Sequence, residues 1–257
     1  MIILLSGGGG RLGTELKKLL IHTDSSRPAR TITLIAPGIG EWDITKLEDC
    51  IRVLKKYKPD AVVHAAAYTN VAKAEEEKDV CRRINVAGTA NVANAIKEVQ
   101  PPAHLIYIST DYVFGGDKGN YKEEDATRPV NFYALTKLEG EREASRVPHY
   151  HIIRTSFKPR PFEHVRACTD MWTSADYVDV IAKELALAIT HYQELPKVIH
   201  IATERKSVFA LAKLTNPKAE PIKRADIKSV TLPKDTSLDV SKWLELKTQI
   251  AKGKSTA

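Results

Sequence analysis

Short apolar runs alternate with longer amphipathic segments along almost the whole chain, and this alternation constrains its fold more than any other feature. The apolar runs predict strands at residues 2–6, 32–36, 61–64, 104–109, 151–155 and 198–202. Helices are predicted between them, at residues 12–21, 46–57, 78–98, 131–146 and 177–191. Because strand and helix follow each other so often, the sequence predicts an α/β fold with a doubly wound parallel sheet and right-handed crossovers.

A glycine-rich segment, GGGGRLG at residues 7–13, follows the first predicted strand and opens the first predicted helix. This order is typical of a Rossmann-type dinucleotide-binding unit, in which glycines let the backbone approach a pyrophosphate at the positive end of the helix. The spacing is Gly7-x-x-Gly10-x-x-Gly13, whereas the commoner form is G-x-G-x-x-G. A flexible glycine loop without a ligand is the alternative interpretation.

Tyr133 and Lys137 lie four residues apart in a predicted helix, and Ser109 and Thr110 precede them at the end of a predicted strand. Residues at this spacing share one face of a helix, so the phenol and the ammonium would lie together. A neighbouring cation lowers the pKa of a phenol from its usual value near ~10. Such a phenol can exchange a proton with a ketone near neutral pH, as hydride transfer requires. Tyr-x-x-x-Lys also occurs by chance on solvated helices.

Composition narrows the class of protein further. The 257 residues can form one substantial core, and the three cysteines are widely separated without C-x-x-C spacing, which indicates reduced thiols and no metal site. The net charge of +7 is scattered, without a basic stripe interleaved with aromatics, so no nucleic-acid partner is expected. No apolar stretch approaches the ~20 residues that span a bilayer, and the opening run is too short for a signal peptide. We therefore expect a cytoplasmic enzyme without a membrane partner, and a homodimer stays open.

Five motifs occur in the order seen in extended short-chain dehydrogenase/reductases. They are the glycine-rich segment, HAAAYT at residues 64–69, NVAGT at 85–89, STDYVF at 109–114 and YALTK at 133–137. Within that superfamily, AAAYT, STDYVF and KLEGE at 137–141 make the chain resemble the dTDP-4-dehydrorhamnose reductase family most. The segments DIT at 43–45 and DTSLDVSK at 235–242 fit the same family, so the resemblance extends from residue 2 to about residue 245.

The resemblance implies an NAD(P)H-dependent reduction of the 4-keto group of a nucleotide-linked 6-deoxy sugar. Thr110 would hydrogen-bond the ketone, Tyr133 would supply the proton, and Lys137 would hold the nicotinamide ribose and lower the tyrosine pKa. The cofactor would contact Gly7, Gly10, Arg11, Leu12, Gly13, Asp43, Ile44, Ala65, Ala66, Ala67, Ser109, Tyr133 and Lys137. The substrate would contact Thr110, Asp111, Tyr112 and Arg160, although Asp111 could instead form an Asx turn and Arg160 could be a solvated loop charge.

The second predicted strand ends LIAPG at residues 34–38, without a carboxylate. An acidic residue at this place pairs with the ribose hydroxyls of NAD and repels the extra phosphate of NADP. The sequence therefore favours NADPH, or use of both NADPH and NADH.

The predicted organisation is an NAD(P)-binding Rossmann domain at residues 1–156 and a reduced substrate-binding region at 157–257, with the strand near 198–202 returning to the sheet. Residues 157–173 are shorter than the corresponding part of the family, which leaves the substrate open. Two alternatives remain: a nucleotide-sugar epimerase or dehydratase, and a non-catalytic cofactor-binding subunit similar to the methionine adenosyltransferase β subunit. The set Thr110, Tyr133 and Lys137 favours an enzyme, whereas the short segment favours a binding module.

Overall fold

A six-stranded parallel sheet forms the centre of the molecule. The computed structural model describes residues 1–21, 32–99 and 101–253. The sheet strands, numbered in chain order, are Ile2–Ser6 (β1), Thr33–Ile35 (β2), Ala61–His64 (β3), His104–Thr110 (β4), Tyr150–Thr155 (β5) and Val198–His200 (β10). Their spatial order is β10-β5-β4-β3-β1-β2, and every neighbouring pair is parallel. The predicted doubly wound α/β fold is confirmed.

Helices cover both faces of this sheet. The α-helices of the described residues are Arg11–Ile21 (α1), Leu47–Tyr57 (α2), Lys78–Arg82 (α3), Gly88–Glu98 (α4), Phe132–Ala144 (α5), Val178–Thr190 (α6), Val208–Lys213 (α7) and Ser241–Ala251 (α8). The apolar sides of α1, α6 and α8 pack against one face, and those of α2 and α4 pack against the other. Because both faces are covered, the sheet strands are apolar along their length, as in β1, where Ile3, Leu4 and Leu5 are fully buried.

The predicted strands and helices of the sheet layers are present, and their ends differ from the prediction by at most two residues. The predicted helix 78–98 is a continuous helical run with a π-helical turn, Arg83–Ala87, between α3 and α4. Among the described residues, no helix combines the length and apolar character needed to cross a membrane.

A smaller apolar cluster lies beside the carboxyl edge of the sheet. Its strands were not predicted, because the only strand predicted beyond residue 155 was the sheet strand at 198–202. Six short strands build it: Phe157–Lys158 (β6), Arg166–Cys168 (β7), Trp172–Thr173 (β8), Asp176–Tyr177 (β9), Lys206–Ser207 (β11) and Glu220–Ile222 (β12). They pair as β6 with β9, β7 with β12 and β8 with β11. Met171, Tyr177 and Leu211 are buried at its centre. We call this part the small lobe.

Candidate active site

The glycine-rich turn passes so close to its neighbours that side chains would not fit at several positions. Gly7 has a φ of +74°, and a Cβ atom there would lie 2.7 Å from the backbone nitrogen of Ala66. At Gly13 a Cβ atom would lie 2.3 Å from the carbonyl oxygen of Gly7. The Gly10 N–H donates to that same oxygen over 2.9 Å, which closes the turn immediately before α1 begins at Arg11. The first N–H groups of α1 have no acceptor within the helix, so this end suits an anion.

We expect Gly13→Ala to lower the free energy of unfolding by about 1–3 kcal/mol, because the added methyl group forces the turn and α1 apart. Gly9→Ala is the matched control, since a Cβ atom there has nothing within 4 Å. Chemical denaturation of both variants measures the difference. Equal stability of the two variants would contradict the packing of the turn.

The wall between the glycine turn and α5 is built around a buried, uncharged histidine. The ring of His64 is hydrogen-bonded to the hydroxyls of Ser6, at 2.7 Å from Nδ1, and Thr89, at 3.1 Å from Nε2. Burial, and to a smaller degree the nearby ammonium of Lys137, lower the pKa of His64 to about 3. His64 therefore stays neutral and fixes the end of β3, from which Ala65, Ala66 and Ala67 lead along the edge of the sheet.

Asp43 and Ile44, which were predicted to lie against adenine, occupy different surroundings. Asp43 Oδ1 accepts hydrogen bonds from the backbone N–H and the hydroxyl of Thr45, at 3.0 and 2.8 Å. The side chain of Ile44 is buried in the core and would be 2.8 Å from a Cβ atom placed on Gly88. Contact with adenine stays a prediction for both residues.

Lys137 is buried at the carboxyl end of β4, with only 3% of its surface exposed. Its ammonium donates to the carbonyl oxygen of Ile108 over 2.8 Å and lies 4.1 Å from the ring centre of Tyr107. Burial lowers the pKa of Lys137 to about 7, and the carboxylate of Glu141 opposes this change. The lysine therefore changes charge close to neutral pH.

Tyr133 lies half-buried near Lys137 on α5, with its ring edge-on to Tyr112 at a centroid distance of 6.4 Å. Burial raises the pKa of the Tyr133 phenol above its ordinary value, and the Thr110 hydroxyl opposes this rise. The negative charge of Asp111 adds to it. The predicted lowering of this pKa is wrong for the structure, because burial outweighs the other influences on the phenol and the ammonium of Lys137 is bound to a backbone carbonyl.

A buried ion pair is hydrogen-bonded to the end of β4. Arg154 donates to both carboxylate oxygens of Glu141, at 2.9 and 2.8 Å, and Glu141 also accepts from the Ser109 hydroxyl at 2.5 Å. Arg154 and Glu141 are 6% and 4% exposed. This pair was not predicted from the sequence, although an arginine inside the apolar strand YHIIRT indicates a buried carboxylate partner.

The carboxylate of Asp111 joins the sheet edge to the small lobe and to the chain near residue 236. Its Oδ1 accepts from the Thr110 hydroxyl at 3.1 Å, and its Oδ2 accepts from Thr236 at 2.7 Å and Thr173 at 3.3 Å. Asp111 is 1% exposed, and burial raises its pKa. Asp111 thus orients Thr110, while its predicted contact with substrate stays a prediction, as does that of the buried Tyr112.

Arg160, a predicted substrate contact, has other partners. Its Nε donates to Asp179 over 2.8 Å, and its guanidinium lies 4.3 Å from the ring centre of Tyr177. Arg11 likewise pairs with Glu163 over 2.8 Å, across 152 residues of sequence. In the ranges 1–21, 32–99 and 101–253, no group of three or more His, Cys, Asp or Glu side chains is arranged to hold a metal ion.

The parallel sheet, the tight glycine turn after β1, and Thr110, Tyr133 and Lys137 at one edge define a Rossmann-type protein of the extended short-chain dehydrogenase/reductase class. Comparison with known sequences makes the assignment narrower. Residues 1–206 match the family model described as RmlD substrate binding domain, and the chain belongs to this family.

Individual relatives agree with this assignment. The dTDP-4-dehydrorhamnose reductase of Aggregatibacter actinomycetemcomitans is 37% identical over 157 residues, which are 60% of this chain and 51% of the relative. The chain thus spans about half the length of the curated relatives it matches. A dTDP-4-dehydrorhamnose reductase structure from Clostridium acetobutylicum superposes with a TM-score of 0.82 at 27% identity, covering 96% of this chain and 93% of that one.

A third relative, the dTDP-4-dehydrorhamnose reductase from Bacillus anthracis in complex with NADP, superposes with a TM-score of 0.80. It is 24% identical, and the superposition covers 98% of this chain and 99% of that one, so this likeness shows the fold.

Proposed function

We propose that this protein is an NAD(P)H-dependent reductase of the 4-keto group of a nucleotide-linked 6-deoxy sugar. The observation that carries the proposal is the presence of Thr110, Tyr133 and Lys137 at the carboxyl edge of a sheet whose first turn is the tight glycine turn. The names of its relatives, dTDP-4-dehydrorhamnose reductases, supply the substrate class.

The glycine turn fits a dinucleotide, because its missing side chains leave room for a pyrophosphate at the start of α1. We propose that NADPH is preferred over NADH. The end of β2, Leu34-Ile35-Ala36, has no carboxylate that would repel the additional phosphate, and a relative of the same fold is described in complex with NADP. Residues 1–156 would form the cofactor-binding domain and residues 157–257 the substrate-binding region.

In the proposed reaction a bound reduced nicotinamide would supply the hydride to the carbonyl carbon. The chain would supply the proton: a phenol is protonated at neutral pH even at its ordinary pKa of ~10, and burial raises the pKa of Tyr133 further, so Tyr133 can donate to the oxygen that becomes the alcohol. Thr110, held by Asp111, would hydrogen-bond the same oxygen. Lys137 would bind the nicotinamide ribose, and Ser109 would keep this end of β4 fixed through Glu141.

The intact set of Thr110, Tyr133 and Lys137 favours turnover over a purely regulatory binding role, since a binding module needs no proton donor. The finer proposals that accompany an enzyme of this class are a cytoplasmic location, a homodimer and no nucleic-acid partner.

The direct test is loss of reduced-nicotinamide absorbance when the protein is mixed with NADPH or NADH and dTDP-4-keto-6-deoxyhexose. We expect turnover, with a higher kcat/KM for NADPH. Tight NADPH binding without turnover on this or any other 4-keto nucleotide sugar would overturn the reductase proposal in favour of a binding role.

A further inference from the structure

Lys158 is a cation at the carboxyl edge of the sheet that was not predicted from the sequence. Lys158 ends β6, three residues beyond Thr155, and Thr155 is the register partner of Thr110 in the sheet. In the pairing of β6 with β9, Lys158 lies opposite Tyr177. The fold therefore places Lys158 just beyond the edge of the sheet that carries Thr110.

Two charged residues, Asp111 and Arg11, influence the pKa of the Lys158 ammonium. Asp111 is the stronger, and the influence is mutual, because Lys158 in turn favours the ionised form of the Asp111 carboxyl. The guanidinium of Arg11, at the start of α1, repels Lys158. Both residues belong to the carboxyl edge of the sheet, because Arg11 begins α1 after the glycine turn and Asp111 follows β4.

Lys158 is half-buried, yet its ammonium has no hydrogen-bond acceptor or salt-bridge partner among residues 1–21, 32–99 and 101–253. Asp111 accepts hydrogen bonds from Thr110, Thr173 and Thr236 and forms no hydrogen bond or ion pair with Lys158. Burial accordingly lowers the pKa of Lys158. The ammonium nitrogen itself keeps access to solvent, since it is not one of the fully buried polar atoms without a partner, so its three donors can reach an anion.

The two arginines that the resemblance assigned to the site are already paired. Arg160 binds the carboxylate of Asp179, and Arg11 binds that of Glu163, both over 2.8 Å. Lys158 therefore replaces Arg160 as the candidate for the anion contact in the small lobe.

We propose that the ammonium of Lys158 binds a phosphoryl group at the active site. Two sources share this chemistry, the diphosphate of a nucleotide-linked substrate and the pyrophosphate of the dinucleotide cofactor. The identity of these two ligands rests on the proposed function, whereas the presence of an anion site at Lys158 does not. Lysine suits phosphate as a compact positive charge on a flexible stem.

The test compares Lys158→Met with Lys55→Met, which removes the same charge from an exposed position on α2. Isothermal titration with inorganic pyrophosphate and dTDP, and fluorescence titration with NADPH, measure the dissociation constants. We expect Lys158→Met to raise the constant for pyrophosphate by about 10–100-fold, as loss of one charge-assisted hydrogen bond does. Lys55→Met should stay within about twofold of the wild type, and Lys158→Arg should retain most of the affinity.

If the dissociation constant for dTDP rises together with that for pyrophosphate and the constant for NADPH does not, Lys158 binds the substrate. If the constant for NADPH rises with that for pyrophosphate and the constant for dTDP does not, Lys158 binds the cofactor. Unchanged constants for all three ligands would overturn the proposal. Because pyrophosphate binding does not depend on turnover, this result is distinct from absence of NADPH oxidation in the wild-type protein, which would count against the proposed function. If Lys158→Met does not fold, amine labelling of the wild type, mapped by mass spectrometry, replaces it. Pyrophosphate should protect Lys158 from the reagent, and equal labelling with and without pyrophosphate would contradict the proposal.

Discussion

Tyr133→Phe is expected to lower kcat by about 10²–10⁴-fold, because the variant keeps the ring but loses the group that donates the proton. Affinity for NADPH should change by less than about threefold, since the phenyl ring preserves the packing against Tyr112. Stopped-flow or steady-state absorbance measures kcat, and fluorescence titration measures cofactor binding.

Tyr57→Phe is the control for loss of a tyrosine hydroxyl outside the site. Tyr57 lies at the end of α2 and donates to Glu41 over 2.7 Å, so its variant should keep full activity. Turnover by Tyr133→Phe at the wild-type rate would remove the phenol from the mechanism. A second proton donor would then be sought near Thr110.

The raised pKa of Tyr133 differs from the prediction made from the sequence. A phenol with a raised pKa keeps its proton at neutral pH and so can serve as the donor, but it is a weaker acid than a phenol whose pKa lies near neutral pH. The prediction from the sequence assumed that Lys137 would act on the phenol, because the two residues share a helix face. The sequence contains the spacing but no information on the rotamer, and the Lys137 side chain reaches the Ile108 carbonyl.

The sheet was predictable because most of its strands are buried on both faces, so strands such as β1 and β3 appear as short apolar runs between polar turns. The small lobe was not, because its strands are two or three residues long and no periodicity can be read from so few positions. The pairing of these strands also joins segments that are far apart in sequence. β8, for example, pairs with β11, more than thirty residues later.

The polar residues of the site likewise have positions that could be predicted from the sequence and contacts that could not. The positions of Thr110 and Tyr133 follow from local order, since one ends a strand and the other opens a helix. The contacts that hold them do not, because Asp111 accepts from Thr236, 125 residues away in sequence. The lack of an acceptor for the Lys158 ammonium among the described residues could not be predicted either, because it depends on where the folded chain places its acceptors.

Arg154→Met is expected to lower the free energy of unfolding by about 3–5 kcal/mol, the largest stability effect that we predict for a single substitution in this chain. The methionine fills much of the space but leaves the carboxylate of Glu141 buried without its countercharge. For a domain of this size the loss corresponds to a decrease in Tm of roughly 6–20 °C. Denaturant unfolding and differential scanning calorimetry measure it.

The chain offers an exposed pair as the control. Arg146 donates to Glu143 over 2.7 Å just beyond the end of α5, with 58% of the arginine side chain exposed, so Arg146→Met should cost less than about 1 kcal/mol. The double variant Arg154→Met/Glu141→Leu removes both buried charges and should recover at least half of the lost stability. Because Glu141 also holds Ser109, the double variant should stay less active than its stability implies. If Arg154→Met and Arg146→Met were equally stable, the buried pair would not be what fixes the end of β4, and the support of Thr110 would rest on Asp111 alone.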